Sequence, residues 1–359
     1  MGSPHIATIV GARPQFIKSA PVSGALRAAG FTEALIHTGQ HYSDALSAVF
    51  FREMQIPEPA FNLGVGSGPH GRQTGEMLRK IEELLEQVHP EMVLVYGDTN
   101  STLAGALAAA KLHIPIHHVE AGLRSFNREM PEEHNRVLTD HCSDVLYCPT
   151  GTAVRNLAAE GIRRNVFCVG DTMLDALNQF APIARNNSTL AASLELEPRG
   201  YVLATLHRPS NVDDPEGLRR ICEGLNRLGL RVVFPAHPRT RQTLEGLSGD
   251  GGTGWRNILL LPPLGYLDML ALEESAAWIV TDSGGVQKEA YMLGVPCVTL
   301  RTETEWVETV DAGWNVLADP ATADIEGAMQ ALRPQTRPDL FGDGRASQRI
   351  VERIAACLN

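Results

Sequence analysis

The chain has 359 residues, of which 43% are hydrophobic and 20% are charged, and its formal net charge is −11. This length exceeds what one hydrophobic core usually serves, so we expect two domains of ordinary size. The acidic balance argues against a surface that tracks nucleic acid, which needs basic residues along one face.

Short apolar and β-branched runs alternate along the chain with segments whose apolar residues recur at helical spacing. The strands predicted for the first half are His5–Val10, Ala34–Thr38, Met92–Tyr96, Ile116–Val119, Val145–Cys148 and Val166–Val169. Those predicted for the second half are Tyr201–Thr205, Val232–Pro235, Ile258–Leu261, Trp278–Thr281, Cys297–Leu300 and Val316–Ala318. Such alternation is typical of parallel sheets that carry helices on both faces.

Two series of this kind predict an α/β fold with two doubly wound, Rossmann-like domains facing a central cleft, where such sheets bind ligands. We place the boundary near residue 175, giving domains 1–175 and 176–359, because Leu177–Arg199 has a poor strand pattern. The last helix, about residues 345–359, carries apolar residues on one face. We expect it to pack back on the first domain.

The six cysteines show no Cys-x-x-Cys or Cys/His ligand spacing, which predicts mostly buried thiols in a reducing compartment and no metal site. No uninterrupted apolar run is long enough to span a bilayer, and no leader pattern precedes the first strand. We therefore expect a cytoplasmic protein without a membrane or nucleic-acid partner.

A candidate phosphate site lies in the second half, where Ser283, Gly284 and Gly285 separate a strand from a helix. The glycines allow close approach to the backbone, and a helix N-terminus offers free amides to an anion. Glu289 follows just over a turn later, in position to accept hydrogen bonds from a ribose diol. A simple N-cap is the alternative, but it does not account for both glycines.

Arg13 and Lys18 follow the first predicted strand, at the edge where ligands of such sheets bind. Pro14 suits the first turn of a helix, which leaves Arg13 in the preceding loop. A solvated surface arginine is an equally weighted alternative.

Several proton carriers also stand at or after predicted strand ends. They are Asp98, Glu120, Glu132 and His207. Helix capping could account for Asp98, and a helix-dipole contact could account for Glu132. An acid that closes a buried strand, as Glu120 does, is costly unless it is paired or catalytic. The combination suits proton abstraction coupled to loss of a phosphate leaving group.

These motifs resemble those of the non-hydrolysing UDP-N-acetylglucosamine 2-epimerases, which have the glycosyltransferase-B fold. The matching stretches are Gly11–Lys18, Tyr96–Thr99, His118–Arg124, Pro131–Arg136, Thr281–Glu289 and Phe341–Gly344, in the family's order along nearly the whole chain. The resemblance implies a UDP-sugar substrate, no cofactor, and a homodimer. It also implies epimerisation at carbon 2, from UDP-N-acetylglucosamine to UDP-N-acetylmannosamine, by elimination and re-addition of UDP.

The resemblance further implies a role for each matching residue. Catalysis falls to Asp98, Glu120 and Glu132, with His207 near the diphosphate, and the acid and base roles stay open. Substrate binding falls to Arg13, Lys18, Arg136, Tyr266, Ser283, Gly284, Gly285, Glu289 and Arg301. Tyr266 lies in the stretch that borders uracil in the family.

The sequence departs from the family pattern in the loops expected near the sugar. Trp306 and Pro209 stand where the N-acetylglucosamine enzymes place arginines, while Arg208 and Arg301 remain. These loops are more similar to epimerases of UDP-2,3-diacetamido-2,3-dideoxyglucuronate, which is the alternative substrate. Gln40–Ser43 only partly matches the segment that some relatives use for allosteric UDP-sugar binding.

Three other functions remain as alternatives on the same fold. They are a glycosyltransferase, a hydrolysing 2-epimerase that releases UDP, and a catalytically idle UDP-sugar-binding regulator. The carboxylates Asp98, Glu120 and Glu132 favour the epimerase over the first and the last of these.

Overall fold

The computed structural model describes residues 5–40, 58–247, 255–332, 334 and 336–358. Most of the segment considered for allosteric binding, residues 41–43, lies outside these ranges. The chain divides into two compact units, the first comprising Met1–Gln179 with Phe341–Asn359 and the second comprising Phe180–Leu340. Within the described ranges, no helix is long and apolar enough to cross a membrane.

The first unit contains a seven-stranded parallel sheet of order β3-β2-β1-β4-β5-β6-β7. Its strands are β1 (Ile6–Val10), β2 (Glu33–His37), β3 (Phe61–Asn62), β4 (Met92–Tyr96), β5 (Ile116–Val119), β6 (Val145–Cys148) and β7 (Val166–Cys168). The helices along this part of the chain are α1 (Arg13–Ala28), α2 (His70–Val88), α3 (Asn100–Lys111), α4 (Pro131–Cys142), α5 (Gly151–Ala159) and α6 (Thr172–Asn187), and α6 continues across the boundary into the second unit.

The second unit contains a six-stranded parallel sheet of order β10-β9-β8-β11-β12-β13. Its strands are β8 (Tyr201–Thr205), β9 (Arg231–Pro235), β10 (Ile258–Leu261), β11 (Trp278–Thr281), β12 (Cys297–Thr299) and β13 (Asn315–Leu317). Its helices are α7 (Leu190–Ser193), α8 (Pro209–Val212), α9 (Pro215–Asn226), α10 (Pro238–Leu247), α11 (Tyr266–Ser275), α12 (Gly284–Leu293), α13 (Val307–Asp311) and α14 (Ile325–Ala331).

Alternate residues of the central strands enter different apolar cores, as expected for a sheet covered on both faces. In β8, Val202 and Ala204 pack with α9, whereas Tyr201 and Leu203 pack against the opposite helical layer. In the first unit, Ile9 and Val95 are buried against the layer that contains α2 and α3. These two parallel, doubly wound sheets confirm the predicted α/β fold class.

The last helix, α15 (Ala346–Leu358), belongs to the first unit, where it packs against α1. Asp175 holds its start, because the carboxylate accepts hydrogen bonds from the amides of Ala346 (3.1 Å) and Ser347 (2.7 Å). These amides are two of the donors that a helix N-terminus leaves without an intrahelical partner. A single side chain therefore fixes the returning chain to α6.

The cysteines are only partly as expected. Three thiols are buried, those of Cys148, Cys222 and Cys297, while Cys168 and Cys357 are exposed. The expectation of mostly buried thiols was therefore wrong for half of the set, since Cys142 is half-buried, Cys168 ends a strand at the sheet edge and Cys357 lies in the last turn of α15.

His117 and His118 are adjacent on β5 and are both buried, but they have separate partners. The Nδ1 atom of His117 lies 2.9 Å from the hydroxyl of Tyr147. Burial lowers the pKa of His117 to about 4, partly offset by the charge of Asp144. The ring is therefore neutral in the folded protein near neutral pH.

This depressed pKa makes part of the stability depend on pH. A histidine in the unfolded chain has a pKa of about 6.5, so as the pH falls the unfolded state binds the proton before the folded state does. The neutral ring makes its full contribution to the unfolding free energy above that pH. The contribution is lost as the pH falls toward the pKa of His117 in the folded protein. From pH of about 7 to about 5, the wild-type protein should lose about 2 kcal/mol more unfolding free energy than His117→Gln, measured by urea denaturation. The same pH dependence in both proteins would contradict this assignment.

Candidate active site

Each sheet has one point at which the chain changes winding direction. In the first unit this point lies between β1 and β4, and in the second it lies between β8 and β11. The connections that follow the two strands run to opposite sides, which leaves a crevice at the carboxyl edge of each sheet. Gly11–Arg13 and Gly97–Asp98 follow β1 and β4, while His207 and Asp282 lie just after β8 and β11.

Gln15 connects the two loops at the crevice of the first unit. Its side-chain oxygen accepts hydrogen bonds from the amides of Gly11 (2.8 Å) and Ala12 (3.1 Å). Its amide nitrogen donates to the carbonyl of Tyr96 (2.8 Å) at the end of β4. Because the side chain is buried and uses both ends of the amide, Gln15 fixes the loop that begins α1 with Arg13.

Asp98 is half-buried and has a cationic partner from α4. Its Oδ2 atom lies 2.5 Å from a guanidinium nitrogen of Arg136, a predicted substrate-binding residue. Asn135, also on α4, donates to the backbone carbonyl of Asp98 at 2.9 Å. The structure therefore brings Asp98 and Arg136 together. Helix α4 holds both the backbone and the carboxylate of Asp98.

Glu120 is buried directly after β5, where its carboxylate pairs with the Nζ atom of Lys18. The backbone of Glu120 has a φ of +72°, a conformation that is rare outside glycine and that marks functional sites. Gly97 leaves room for this pair, because a Cβ there would lie 3.1 Å from the Glu120 carboxylate. The sequence pattern alone did not predict the Lys18–Glu120 contact.

One buried carboxylate, Asp140 of α4, organises the loop that carries Glu120. Its oxygens lie 2.8 Å from Nδ1 of His118 and 2.7 Å from a guanidinium nitrogen of Arg124. The amide of Gly122 donates to the same carboxylate at 3.1 Å. Gly122 has a φ of +81°, and a Cβ there would lie 2.4 Å from the carbonyl oxygen of Ala153. His118, Gly122 and Arg124 are therefore spaced so that one loop can bind the Asp140 carboxylate at three points. Sequence reasoning missed Asp140.

The two adjacent acids at the start of α4 have different surroundings. Glu133 is buried and accepts hydrogen bonds from Ser125 and from the amide of Phe126, so it closes the preceding loop. Glu132 is half-buried, and its side chain makes no hydrogen bond with the residues that the structure describes. Of this pair, Glu132 is the carboxylate left available to a ligand.

Asp282 plays the organising role at the crevice of the second unit. Its buried carboxylate accepts hydrogen bonds from the backbone amides of His207 and Arg208, and one from the side chain of Asn211. Burial alone would raise the pKa of Asp282, but the contacts with His207, Asn211 and the Arg208 amide outweigh it and lower the pKa. The ring of His207 is exposed, and its Nδ1 atom lies 3.1 Å from Asp282.

The Ser-Gly-Gly turn forms the start of α12 as predicted. The Ser283 hydroxyl caps the helix by accepting from the amide of Val286 at 3.5 Å. Gly284 is needed for space, because a Cβ there would lie 2.3 Å from an Oε atom of Glu305. Among the residues that the structure describes, a Cβ on Gly285 would meet only the Ser283 hydroxyl, at 3.8 Å. Space therefore accounts for the glycine at position 284 and does not account for the one at position 285.

Tyr266 and Glu289 lie together near this turn. The Tyr266 hydroxyl donates to Oε1 of Glu289 at 3.0 Å, and both side chains are buried. Glu273 is a third buried group here, and burial together with the charge of Glu289 raises its pKa well above the usual range. Sequence reasoning placed Tyr266 and Glu289 at one ligand, and the structure brings their side chains into contact.

The remaining predicted contact, Arg301, is buried and already forms an ion pair. A guanidinium nitrogen lies 2.9 Å from Oε2 of Glu305. Trp306 is 2% exposed, with the Nζ atom of Lys288 lying 4.1 Å from its ring centre. Trp306 is therefore a core residue of the second unit.

A cavity of about 340 Å³ opens beside Arg301 in the second unit. Three arginines line it, Arg208, Arg220 and Arg301, and so do three acids, Asp214, Glu303 and Asp319. Because the charges balance, the cavity does not favour an anionic ligand.

One Rossmann-like unit carries carboxylates that are paired with cations, and the other carries a glycine turn at a helix N-terminus of the kind that binds phosphate. Together these features define a sugar-nucleotide enzyme of the glycosyltransferase-B type. The chain is 44% identical to a UDP-GlcNAc 2-epimerase of Methanocaldococcus jannaschii, whose crystal structure contains UDP-GlcNAc and UDP; the match covers 98% of this chain and 99% of that one, with a TM-score of 0.91. The family model for UDP-N-acetylglucosamine 2-epimerase matches residues 25–355. The chain belongs to this family of isomerases, which confirms the resemblance seen in the sequence.

Two further relatives bear on the substrate. A UDP-N-acetylglucosamine 2-epimerase homolog of Methanococcus maripaludis is 52% identical over 97% of this chain and 98% of its own length. The UDP-2,3-diacetamido-2,3-dideoxy-D-glucuronate 2-epimerase of Pseudomonas aeruginosa is 48% identical over 98% of this chain and 99% of its own length. Relatives of this chain thus carry the names of two sugars.

The glycine turn gives a test that needs no ligand. Gly284→Ala places a methyl group against Glu305, which cannot move freely because its side chain is 8% exposed and forms an ion pair with Arg301. We expect a loss of unfolding free energy of about 1–3 kcal/mol, the usual cost of overpacking. Gly285→Ala is the matched control and should be nearly neutral, since its methyl group meets only the Ser283 hydroxyl. Equal stabilities of the two variants in urea denaturation would show that Glu305 does not restrict Gly284.

Proposed function

We propose that the protein catalyses non-hydrolysing epimerisation at carbon 2 of a UDP-2-acetamido sugar, with UDP-N-acetylglucosamine as substrate and UDP-N-acetylmannosamine as product. The observation that carries the proposal is the buried Lys18–Glu120 pair, held beside the β4 loop that bears Asp98. Family membership and the UDP-GlcNAc-bound structure of the archaeal relative support it.

The chemistry is an elimination followed by an addition. One carboxylate removes the proton from carbon 2 while the bond from carbon 1 to the diphosphate oxygen breaks, which leaves a carbon 1–carbon 2 double bond and bound UDP. UDP then adds back at carbon 1, and an acid delivers a proton to the opposite face of carbon 2. Asp98, Glu120 and Glu132 are the proposed proton carriers, and this role needs groups that reach the reacting proton.

UDP has to remain bound while the double bond exists. We assign the diphosphate to the start of α12 at Ser283–Gly285 and to His207, and Arg13 of the first unit stays a proposed substrate-binding residue on the family resemblance. Free helix amides and cations stabilise the charge that develops on a departing diphosphate. Glu289 with Tyr266 is the proposed site for the ribose and uracil. Arg301 is the weakest member of the proposed binding set, because its guanidinium is buried against Glu305.

The diacetamido uronate is the second candidate substrate, favoured by the 48% identity to the Pseudomonas aeruginosa enzyme. Its carboxylate would need a cationic partner. Family membership and the UDP-GlcNAc-bound archaeal relative favour N-acetylglucosamine, which remains the first choice.

We also propose that the enzyme is a cytoplasmic homodimer, following the family resemblance. Sedimentation of the purified protein measures the subunit number.

The mechanism predicts that deuterium enters carbon 2 during turnover in heavy water. Incubation with UDP-N-acetylglucosamine, followed by proton NMR, should show UDP-N-acetylmannosamine labelled at that carbon. The same assay is run in parallel with the diacetamido uronate as substrate. A catalytic efficiency a hundredfold higher on the uronate would change the assigned substrate and leave the proposed mechanism unchanged. Unlabelled product would exclude proton abstraction, and free N-acetylmannosamine with UDP would indicate a hydrolysing enzyme.

Asp98→Asn and Glu120→Gln should each lower kcat by about a hundredfold or more, the usual scale for loss of acid–base catalysis. Both changes preserve shape but leave a buried cation, Lys18 or Arg136, without one anionic partner, so some thermal stability is lost and kcat is compared well below each variant's melting temperature. Glu83→Gln, which alters an exposed carboxylate on α2, is the matched control and should keep full activity. Normal turnover in either site variant would assign that residue to structure.

A further inference from the structure

His118 has an unusual set of contacts for a core histidine. It is fully buried on β5, two residues before Glu120. Its Nε2 atom lies 2.8 Å from the carbonyl oxygen of Gly97, and its Nδ1 atom lies 2.8 Å from the Asp140 carboxylate. Each ring nitrogen therefore faces an acceptor oxygen within hydrogen-bond distance. The ring therefore joins the end of β4 to α4 through two directed bonds.

Gly97 is the residue through which this bridge reaches the proposed proton carriers. It immediately precedes Asp98, and its α-carbon faces the carboxylate of Glu120. Gly97 has a φ of +64°, so the backbone turns sharply at this position. Its amide donates to the carbonyl of Val119 at 2.9 Å, and its carbonyl accepts from His118. Both backbone polar groups of Gly97 are thus held by residues of β5.

The bridge is itself held rigidly on its far side. Asp140 also binds Arg124, and Arg124 forms two further bonds to Glu160, at 2.6 and 2.8 Å. Burial lowers the pKa of Arg124, but the hydrogen bonds that it donates to Glu160 and Asp140, together with their charges, outweigh burial and raise the pKa. A side chain inside such a network has little freedom to shift, because each move breaks a buried hydrogen bond.

From these contacts we infer that His118 is a positioning residue, which sets Asp98 relative to Glu120 by holding the Gly97 carbonyl. It touches no reacting atom, and the inference rests on the proposed roles of Asp98 and Glu120. Displacement of a proton carrier by about 1 Å can reduce turnover about a hundredfold without weakening substrate binding. The contact with Gly97 should therefore affect kcat, whereas the contact with Asp140 should affect mainly stability.

Two substitutions separate the two contacts. His118→Gln places an amide nitrogen near the Nε2 position and keeps a donor for Gly97, whereas His118→Asn places one near Nδ1 and keeps only the donor for Asp140. We expect His118→Asn to lower kcat by about ten- to a hundredfold, with KM and the Kd for UDP changed less than about twofold. His118→Gln should recover most of kcat, although both variants lose thermal stability.

His117→Gln is the matched control, because it removes a buried histidine contact from the same strand on the side of Tyr147. It should lower the melting temperature and leave kcat unchanged. Equal kcat for His118→Asn and His118→Gln, or a loss of kcat in His117→Gln that parallels its loss of stability, would overturn the inference.

The assay distinguishes this inference from the proposed function. All variants are compared on whichever of the two UDP-sugars the wild-type protein turns over. If it turns over neither, the proposed function fails, and crystal structures of the wild type and His118→Asn decide the positioning role. A Gly97–Asp98 segment that is displaced in the variant supports it, and an unmoved segment refutes it.

Discussion

The carboxylate of Asp140 is the contact on which the first unit's site depends. It holds His118 before Glu120, Gly122 after it, and Arg124 at the end of the loop. Removing one partner of such a buried group leaves the others without compensation, which costs more than the hydrogen bond itself contributes. The strained backbone of Glu120 persists because this network fixes both sides of it.

Asp282 has the same function in the second unit. Each unit thus has one buried acid whose carboxylate binds backbone amides and side chains of a loop at the carboxyl edge of its sheet. A loop held in this way keeps its conformation before a ligand arrives. Such preorganisation is what electrostatic stabilisation of a departing diphosphate requires, because no reorganisation is then needed during the reaction.

Space at the two crevices is controlled by glycines with different physical reasons. Gly97 and Gly122 combine a left-handed backbone with a close neighbour, whereas Gly284 is restricted by the Glu305 carboxylate. Glu305 is in turn held by Arg301, so the arginine that sequence reasoning assigned to substrate also supports the phosphate turn. Substitutions at Arg301 therefore change the packing under Gly284 as well as any direct contact with substrate.

The sequence by itself determined the described strands other than the two-residue β3, because parallel strands buried on both faces are read as continuous apolar runs, whereas β3 is too short to give one. It also determined which polar residues stand at or after those strand ends, including Asp98, Glu120 and Ser283. Only the tertiary structure decided their partners: Lys18 with Glu120, Tyr266 with Glu289, and Asp140 with His118 and Arg124. It also showed Trp306 buried against Lys288. Such pairs join residues far apart in the chain, and their contact depends on strand order and helix packing, which local periodicity does not encode.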